Sequence, residues 1–100
     1  MGLDLTGKCV VITGASSGIG RACAEAFGAA GCRLLLAARR KDRLDELAQT
    51  LNRQFGTEAL TAALDVRDGD AVESWVSGLP EEWTHIDILV NNAGLSRGLE

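Results

Sequence analysis

Tyrosine is absent from this sequence, and proline and histidine occur once each. The cysteines, Cys9, Cys23 and Cys32, form neither a CxxC pair nor a metal-knuckle spacing, which argues against a cysteine-based metal site. We expect three buried thiols, which indicate a reducing compartment. No apolar run reaches the ~18 residues of a membrane span, and no secretory leader pattern is present. We therefore expect a cytoplasmic protein with no metal and no membrane partner.

Positive charge is also scarce, because 10 Lys and Arg residues are outnumbered by 14 Asp and Glu residues. The net charge is −4, and without a basic stripe nucleic acid is not expected as a partner. The chain is 46% hydrophobic and 24% charged, which is typical of a folded protein rather than a disordered one. Its 100 residues are enough for one domain, spanning 1–100.

Hydrophobic periodicity predicts a strict alternation of strands and helices. Continuous apolar runs with β-branched residues predict strands that are covered on both faces, as in a parallel sheet. These runs are Lys8–Thr13, Cys32–Ala38, the weaker Glu58–Leu64, and Ile86–Val90. Alternation at these lengths predicts an α/β fold, a doubly wound Rossmann-type parallel sheet of about four strands joined by right-handed crossovers.

Three apolar stripes at helical spacing separate the predicted strands. The first ends at the candidate C-cap Gly31 and consists of Ile19, Ala22, Cys23, Ala26, Phe27 and Ala30. The second ends at Gly56 and consists of Leu44, Leu47, Ala48, Leu51 and Phe55. The third begins at the candidate N-cap Asp68, stops near Pro80 and consists of Val72, Trp75, Val76 and Leu79.

The turn between the first strand and the first helix carries the clearest functional signal. Ligands of open parallel sheets bind beyond the carboxyl ends of the strands, and the amino end of a helix suits a phosphate. Gly14 permits a tight turn, Gly18 lets the backbone approach a pyrophosphate, and Gly20 lets the helix pack closely. Ser16 and Ser17 supply hydroxyls that can reach a ribose or phosphate, or bond their own backbone. A dinucleotide site is favoured over a purely structural turn.

The end of the second strand indicates which dinucleotide is bound. An NAD site typically has a carboxylate there that accepts from the ribose hydroxyls. In this chain Ala38 occupies that position, and Arg39 and Arg40 follow it. A guanidinium pairs well with a 2′-phosphate, so we predict NADP rather than NAD, with Arg39 the first ligand and Arg40 the second. The alternative is that these residues, with Lys41 and Arg43, form a solvated helix start, although cations are unfavourable at that end of a helix.

Polar residues also follow the third and fourth strands. Asp65 can accept a hydrogen bond from an adenine amino group while Val66 packs on the ring, or Asp65 can cap its own loop. Residues 91–94, Asn-Asn-Ala-Gly, place amides that both donate and accept beside a glycine that leaves space for a cofactor ring. Both segments are predicted to lie at the same edge of the sheet as the glycine turn.

Four other polar or aromatic residues are predicted to be structural. His85 precedes the fourth strand and lies at the opposite edge of the sheet, away from the expected site. Asp87 is expected to satisfy nearby backbone, and Trp75 and Trp83 are expected to anchor a helix and a loop.

The motifs TGxxxGIG at 13–20, Asp65-Val66 and NNAG at 91–94 together resemble the short-chain dehydrogenase/reductases, and the resemblance covers essentially the whole chain. It implies that backbone at Ser17, Gly18 and Ile19 holds the pyrophosphate, and that Asp65 and Val66 hold the adenine. It implies that the ribose and nicotinamide are lined by Asn91, Ala93 and Gly94. The Ala-Ala-Arg-Arg strand end resembles NADP-preferring members, which include carbonyl reductases and 3-hydroxy acid dehydrogenases.

Catalysis in that family depends on a Tyr-x-x-x-Lys pair, a preceding Ser and a further Asn, all downstream of NNAG. The chain has no tyrosine and continues for six residues after Gly94, so no catalytic residue is assigned. We expect the front part of an NADP-dependent oxidoreductase acting on a small carbonyl or alcohol, homo-oligomeric as a parent protein, with the carboxyl-terminal part of the fold missing. Two alternatives stay open: a dinucleotide-binding module or sensor without chemistry, and a mononucleotide or methyl-donor binder.

Overall fold

A computed structural model describes residues 4–92 and shows one sheet of four parallel strands. The strands are β1 (Cys9–Thr13), β2 (Arg33–Ala38), β3 (Ala59–Ala63) and β4 (Ile88–Asn91). Their order is β3-β2-β1-β4, so the chain builds outward from β1 to β3 and then returns to the other side of β1. This confirms the predicted parallel α/β sheet and places the reversal of strand order between β1 and β4.

The helices are α1 (Gly18–Ala29), α2 (Lys41–Phe55) and α3 (Gly69–Ser77), followed by a short 3-10 turn at Glu81–Trp83. Asp68 caps α3 as predicted, since its carboxylate accepts from the backbone of Asp70 and Ala71. Gly56 ends α2 in the left-handed region with φ 71°. The C-cap of α1 is Ala30 rather than Gly31, which follows it with φ 88°.

Helices cover both faces of the sheet, which is the doubly wound arrangement. On one face α1 and α2 pack against alternate residues of β1 and β2, and the buried members include Val10, Ile12, Leu34, Leu36, Leu44, Leu47 and Leu51. On the other face α3 and the 3-10 turn pack against the intervening residues, and this smaller cluster includes Cys9, Val11, Leu35, Trp75 and Trp83. On this second face, α3 and the 3-10 turn do not cover Leu89 of β4, whose side chain is 64% exposed.

The predicted apolar stripe of α1 is right for Cys23 and Phe27, which pack against the core, and wrong for its other members. Four of its members are exposed, namely Ile19, Ala22, Ala26 and Ala30. The helix instead buries Gly20, Ala24 and Gly28. These small residues allow a close approach, since a β-carbon on Gly28 would lie 3.0 Å from the Thr57 hydroxyl. The periodicity ranks Ile above Gly, so it placed the centre of the buried face too far from the glycines, although Cys23 and Phe27 do pack against the core.

The amino edge of the sheet is held by structural contacts, as predicted. Asp87 pairs with Cys9 in both directions: its carboxylate accepts from the Cys9 amide at 2.9 Å, and its own amide donates to the Cys9 carbonyl at 2.9 Å. Trp83 is buried, and the Arg33 guanidinium lies 4.0 Å from its ring centroid. The side chain of His85 is 89% exposed and pairs only with Asp87 among the residues described.

The cysteines match the prediction in two cases of three. Cys9 and Cys32 are buried and burial raises the pKa of both thiols, whereas Cys23 on α1 is only half-buried. Within 4–92, no cluster of His, Cys, Asp and Glu could hold a metal ion. In the same part of the chain, no helix has the length and apolar character to cross a bilayer.

Candidate functional site

The carboxyl ends of all four strands meet at one edge of the sheet, and the glycine turn leaves this edge between β2 and β4. Gly14 has φ 68°, a left-handed conformation that glycine adopts without strain. The backbone amides of Gly14 and Ala15 both donate to the Ala37 carbonyl of β2, at 2.8 and 3.2 Å. The predicted role of Gly14 in the turn is therefore confirmed, and the turn is fixed to the neighbouring strand.

The amino end of α1 presents unpaired backbone donors. The Ser17 hydroxyl donates to the Gly14 carbonyl at 2.8 Å and accepts from the Gly20 amide at 3.3 Å. It therefore caps the helix, which is the local alternative considered for this side chain, while Ser16 lies half-buried beside it. The amides of Gly18 and Ile19 have no acceptor among residues 4–92. Free donors at the positive end of a helix form an anion site.

Space in front of these donors depends on Gly18 and Gly20, the two glycines in the first turn of α1. A β-carbon on Gly18 would meet nothing within 4 Å, so the surface there is open. A β-carbon on Gly20 would instead overlap the Gly14 carbonyl oxygen and lie 2.9 Å from the α-carbon of Ala15. Gly20 thus allows the close packing predicted for it, and Gly18 leaves the approach to the free amides clear.

The two arginines after β2 have different surroundings. The guanidinium of Arg40 pairs with both carboxylate oxygens of Asp42, at 3.3 and 3.2 Å. Lys41 pairs in the same way with Asp45, at 3.1 Å to the nearer oxygen. Arg39 is exposed and forms no hydrogen bond or ion pair with any residue in 4–92. Carboxylates of α2 thus pair with Arg40 and Lys41, whereas Arg39 is available to an anion.

Asp65 is engaged by its own loop. Its carboxylate accepts two hydrogen bonds from the Arg67 guanidinium, both at 3.1 Å, and a third from the Arg67 amide at 3.0 Å. The Arg67 side chain chiefly, then its backbone amide and the charge of Arg39, lower the pKa of Asp65 to about 2. The carboxylate is therefore ionised and acceptor-only at neutral pH. This is the local role considered for Asp65, and Val66 beside it is half-buried.

Thr13, which sequence reasoning did not select, joins the ends of β1 and β4. Its hydroxyl lies 3.0 Å from the amide oxygen of Asn91. Asn92 is 5% exposed, and its amide nitrogen has no partner within the part of the chain described. In the sequence, Thr13 and Asn92 could have been selected because each is a polar residue at the end of an apolar strand. The predicted residues Ala93 and Gly94 lie outside the described residues.

Comparison with known proteins gives relatives that are oxidoreductases by name. The chain is 51% identical over 87 residues to sulfoacetaldehyde reductase 2 of Chromohalobacter salexigens, covering 87% of this chain and 34% of that protein. It is 44% identical over 91 residues to the NADP-dependent 3-hydroxy acid dehydrogenase of Salmonella typhi, covering 91% of this chain and 35% of the relative. The chain therefore spans about a third of the length of these relatives.

Solved structures agree with the fold. The L-sorbose reductase of Gluconobacter frateurii, complexed with NADPH and L-sorbose, superposes with a TM-score of 0.82 at 45% identity, over 92% of this chain and 36% of that one. An alcohol dehydrogenase of Thermococcus sibiricus, complexed with 5-hydroxy-NADP, has a TM-score of 0.76 at 39% identity, over 82% of this chain and 35% of that one.

The family assignment rests on more of the chain than the glycine turn alone. The family profile described as short chain dehydrogenase matches residues 8–100, from the residue before β1 through the Asn-Asn-Ala-Gly segment. The matched range thus includes every residue that the sequence analysis placed at the site. The chain belongs to the short chain dehydrogenase family.

Proposed function

We propose that this chain is the cofactor-binding part of an NADP(H)-dependent oxidoreductase that interconverts a small carbonyl compound and its alcohol. The proposal is carried by one observation: at the carboxyl edge of the parallel sheet, the amides of Gly18 and Ile19 and the cation Arg39 have no partner among residues 4–92. One set of donors suits a pyrophosphate and the other a 2′-phosphate.

The site residues fit such a cofactor. The Gly18 and Ile19 amides would bind the pyrophosphate behind the turn formed by Gly14 and Gly20, and Arg39 would bind the 2′-phosphate. Asn91, which Thr13 orients at the end of β4, would bind on the ribose and nicotinamide side with Ala93 and Gly94. The nicotinamide supplies the hydride when bound.

The remaining site residues have supporting roles in this proposal. Ser17 caps α1 through its hydroxyl, and the half-buried Ser16 would offer its hydroxyl to the ribose or phosphate. Asp65 and Val66 would border the adenine, where the carboxylate can accept an additional bond because each of its oxygens has more than one lone pair. Arg40 is paired with Asp42 and is not required for this proposal. No residue of the chain is proposed to be catalytic, and we expect the chain alone not to turn over substrate.

The names of the relatives support this function over the alternatives. They are reductases and dehydrogenases, three of which are named or titled with NADP, NADPH or 5-hydroxy-NADP. A dinucleotide sensor without chemistry is not favoured by them. A mononucleotide or methyl-donor binder would not need the unpaired Arg39 beside an alanine at the end of β2.

Three further features are part of the proposal. Residues 1–100 form one dinucleotide-binding domain, supported by the single sheet over the described residues. A cytoplasmic location is supported by three cysteines without disulfides. A homo-oligomeric parent protein is supported by the family resemblance alone.

The test is a fluorescence titration of the purified protein with NADPH and with NADH. We expect tighter binding of NADPH, and Arg39→Ala is expected to raise the Kd for NADPH by at least about tenfold with little change for NADH. Arg53→Ala is the matched control, since this arginine lies in the last turn of α2, at the opposite end of the helix. Equal affinities for the two cofactors in the wild-type protein would reject the proposal.

A further inference from the structure

We propose that Asp42 restricts the affinity for the 2′-phosphate by holding Arg40, so that of these two neighbouring arginines Arg39 is the one that binds this group. The inference deepens the proposed function and rests on it. It assigns a role to a carboxylate that the sequence analysis did not consider, and it gives the two neighbouring arginines different roles.

The geometry of the pair is two-pronged. Arg40 Nε lies 3.3 Å from Asp42 Oδ1, and Arg40 Nη2 lies 3.2 Å from Asp42 Oδ2. A guanidinium in this fork arrangement presents to the carboxylate the same edge that it would present to a phosphate. A 2′-phosphate therefore has to displace Asp42 before it can form the equivalent contact with Arg40.

Asp42 is well placed to remain in this contact. It lies in the first turn of α2, where a carboxylate is stabilised by the helix dipole, and it is two residues from Arg40 in the chain. The side chains of Arg40 and Asp42 are 58% and 68% exposed, so the pair lies at the surface where a ligand would arrive. The hydrogen bond from Arg40 also lowers the pKa of Asp42, so the competing carboxylate is fully ionised at neutral pH.

Arg39 differs from Lys41 and Arg67, two cations near this edge that are paired with carboxylates. Lys41 is paired with Asp45, and Arg67 is paired with Asp65. Arg39 has no such carboxylate among the described residues, although its charge reaches Asp65 closely enough to lower the pKa of that group. One arginine is thus ready to bind an anion, and the other is occupied.

The experiment compares 2′,5′-ADP with ADP, two probes that differ by the 2′-phosphate. In the purified protein that contains this chain, Asp42→Asn is expected to raise the affinity for 2′,5′-ADP about three- to fivefold and that for ADP less than twofold. Glu46→Gln removes a charge one turn further along α2 and is the matched control, with no expected change. Because the pair is exposed, the gain is expected to shrink in high salt.

A double-mutant cycle tests whether the effect passes through Arg40. Arg40→Ala alone is expected to change the affinity for 2′,5′-ADP less than twofold, and Asp42→Asn in the Arg40→Ala background is expected to have no effect. A gain that persists without Arg40, or no gain in the single variant, would overturn the inference while leaving the proposed function intact. If the wild-type protein binds both probes equally, the proposed function and the inference fail together.

Discussion

Gly20 and Gly14 approach each other so closely that a β-carbon on Gly20 would overlap the Gly14 carbonyl oxygen. The same β-carbon would lie 2.9 Å from the Ala15 α-carbon, so the obstruction is backbone, which cannot move aside as a side chain can. This contact fixes the start of α1 against the turn that leaves β1, and thereby the direction in which the free amides of Gly18 and Ile19 point.

Alanine substitutions at Gly20 and at Gly18 should therefore affect the stability of the fold differently. Gly20→Ala is expected to lower the free energy of unfolding by about 1–3 kcal/mol, because the turn has to shift. Gly18→Ala meets no atom and is expected to leave stability unchanged or raise it by at most about 1 kcal/mol, while weakening NADPH binding. Urea denaturation and cofactor titration separate the two. Equal loss of stability in both variants would contradict this account of the packing.

The glycine turn and the strands could be predicted because their causes are local in the sequence. The left-handed φ at Gly14 strongly favours glycine, and the absent space at Gly20 excludes any side chain. The predicted second strand, Cys32–Ala38, differs by one residue from the observed Arg33–Ala38. The fourth strand begins two residues later than predicted, after Asp87 has paired with Cys9.

The ion pairs and the buried face of α1 could not be predicted in this way. Arg40 has acids nearby in sequence, and periodicity does not determine which side chain it contacts. Gly28 is buried because Thr57 and the end of α2 come close to it, a condition set by tertiary packing. Ile19 shows the converse, since a large apolar residue is 58% exposed at the open end of the helix. For these residues the neighbours, not the residue itself, determine the outcome.

The hydrogen bond between Thr13 and Asn91 predicts a coupling between the ends of β1 and β4. Thr13→Val keeps the shape of this buried side chain but removes the hydroxyl, and is expected to cost about 0.5–1.5 kcal/mol of unfolding free energy. In an Asn91→Ala background the same substitution should cost less, because the acceptor is already gone. A cost that is independent of Asn91 would assign the hydroxyl to the Val90 carbonyl, 3.4 Å away.

The Asp87 contact with the Cys9 amide predicts a loss of stability at the opposite edge of the sheet. Asp87→Ala removes the acceptor of a partly buried backbone donor, and is expected to lower the melting temperature by roughly a few degrees. His85→Ala is the matched control, because His85 contacts the same carboxylate from an 89% exposed position and its removal should have a much smaller effect. A similar loss in both variants would show that the contact between His85 and Asp87, and not the hydrogen bond from the Cys9 amide, provides the stability.

The lowered pKa of Asp65 predicts an acid-dependent contribution to stability. The ordinary value is 3.8 and the Arg67 contacts lower it to about 2 in the folded protein. The folded state therefore binds fewer protons than the unfolded state at moderately acid pH. The contribution of Asp65 to the free energy of unfolding is present above pH 3.8 and is lost as the pH falls toward about 2. Thermal melts of the wild-type protein and Asp65→Asn between about pH 7 and pH 3 measure it. The wild-type protein should melt higher at neutral pH, and the difference should narrow below about pH 4. A difference that is constant over the range would contradict the role of the carboxylate charge.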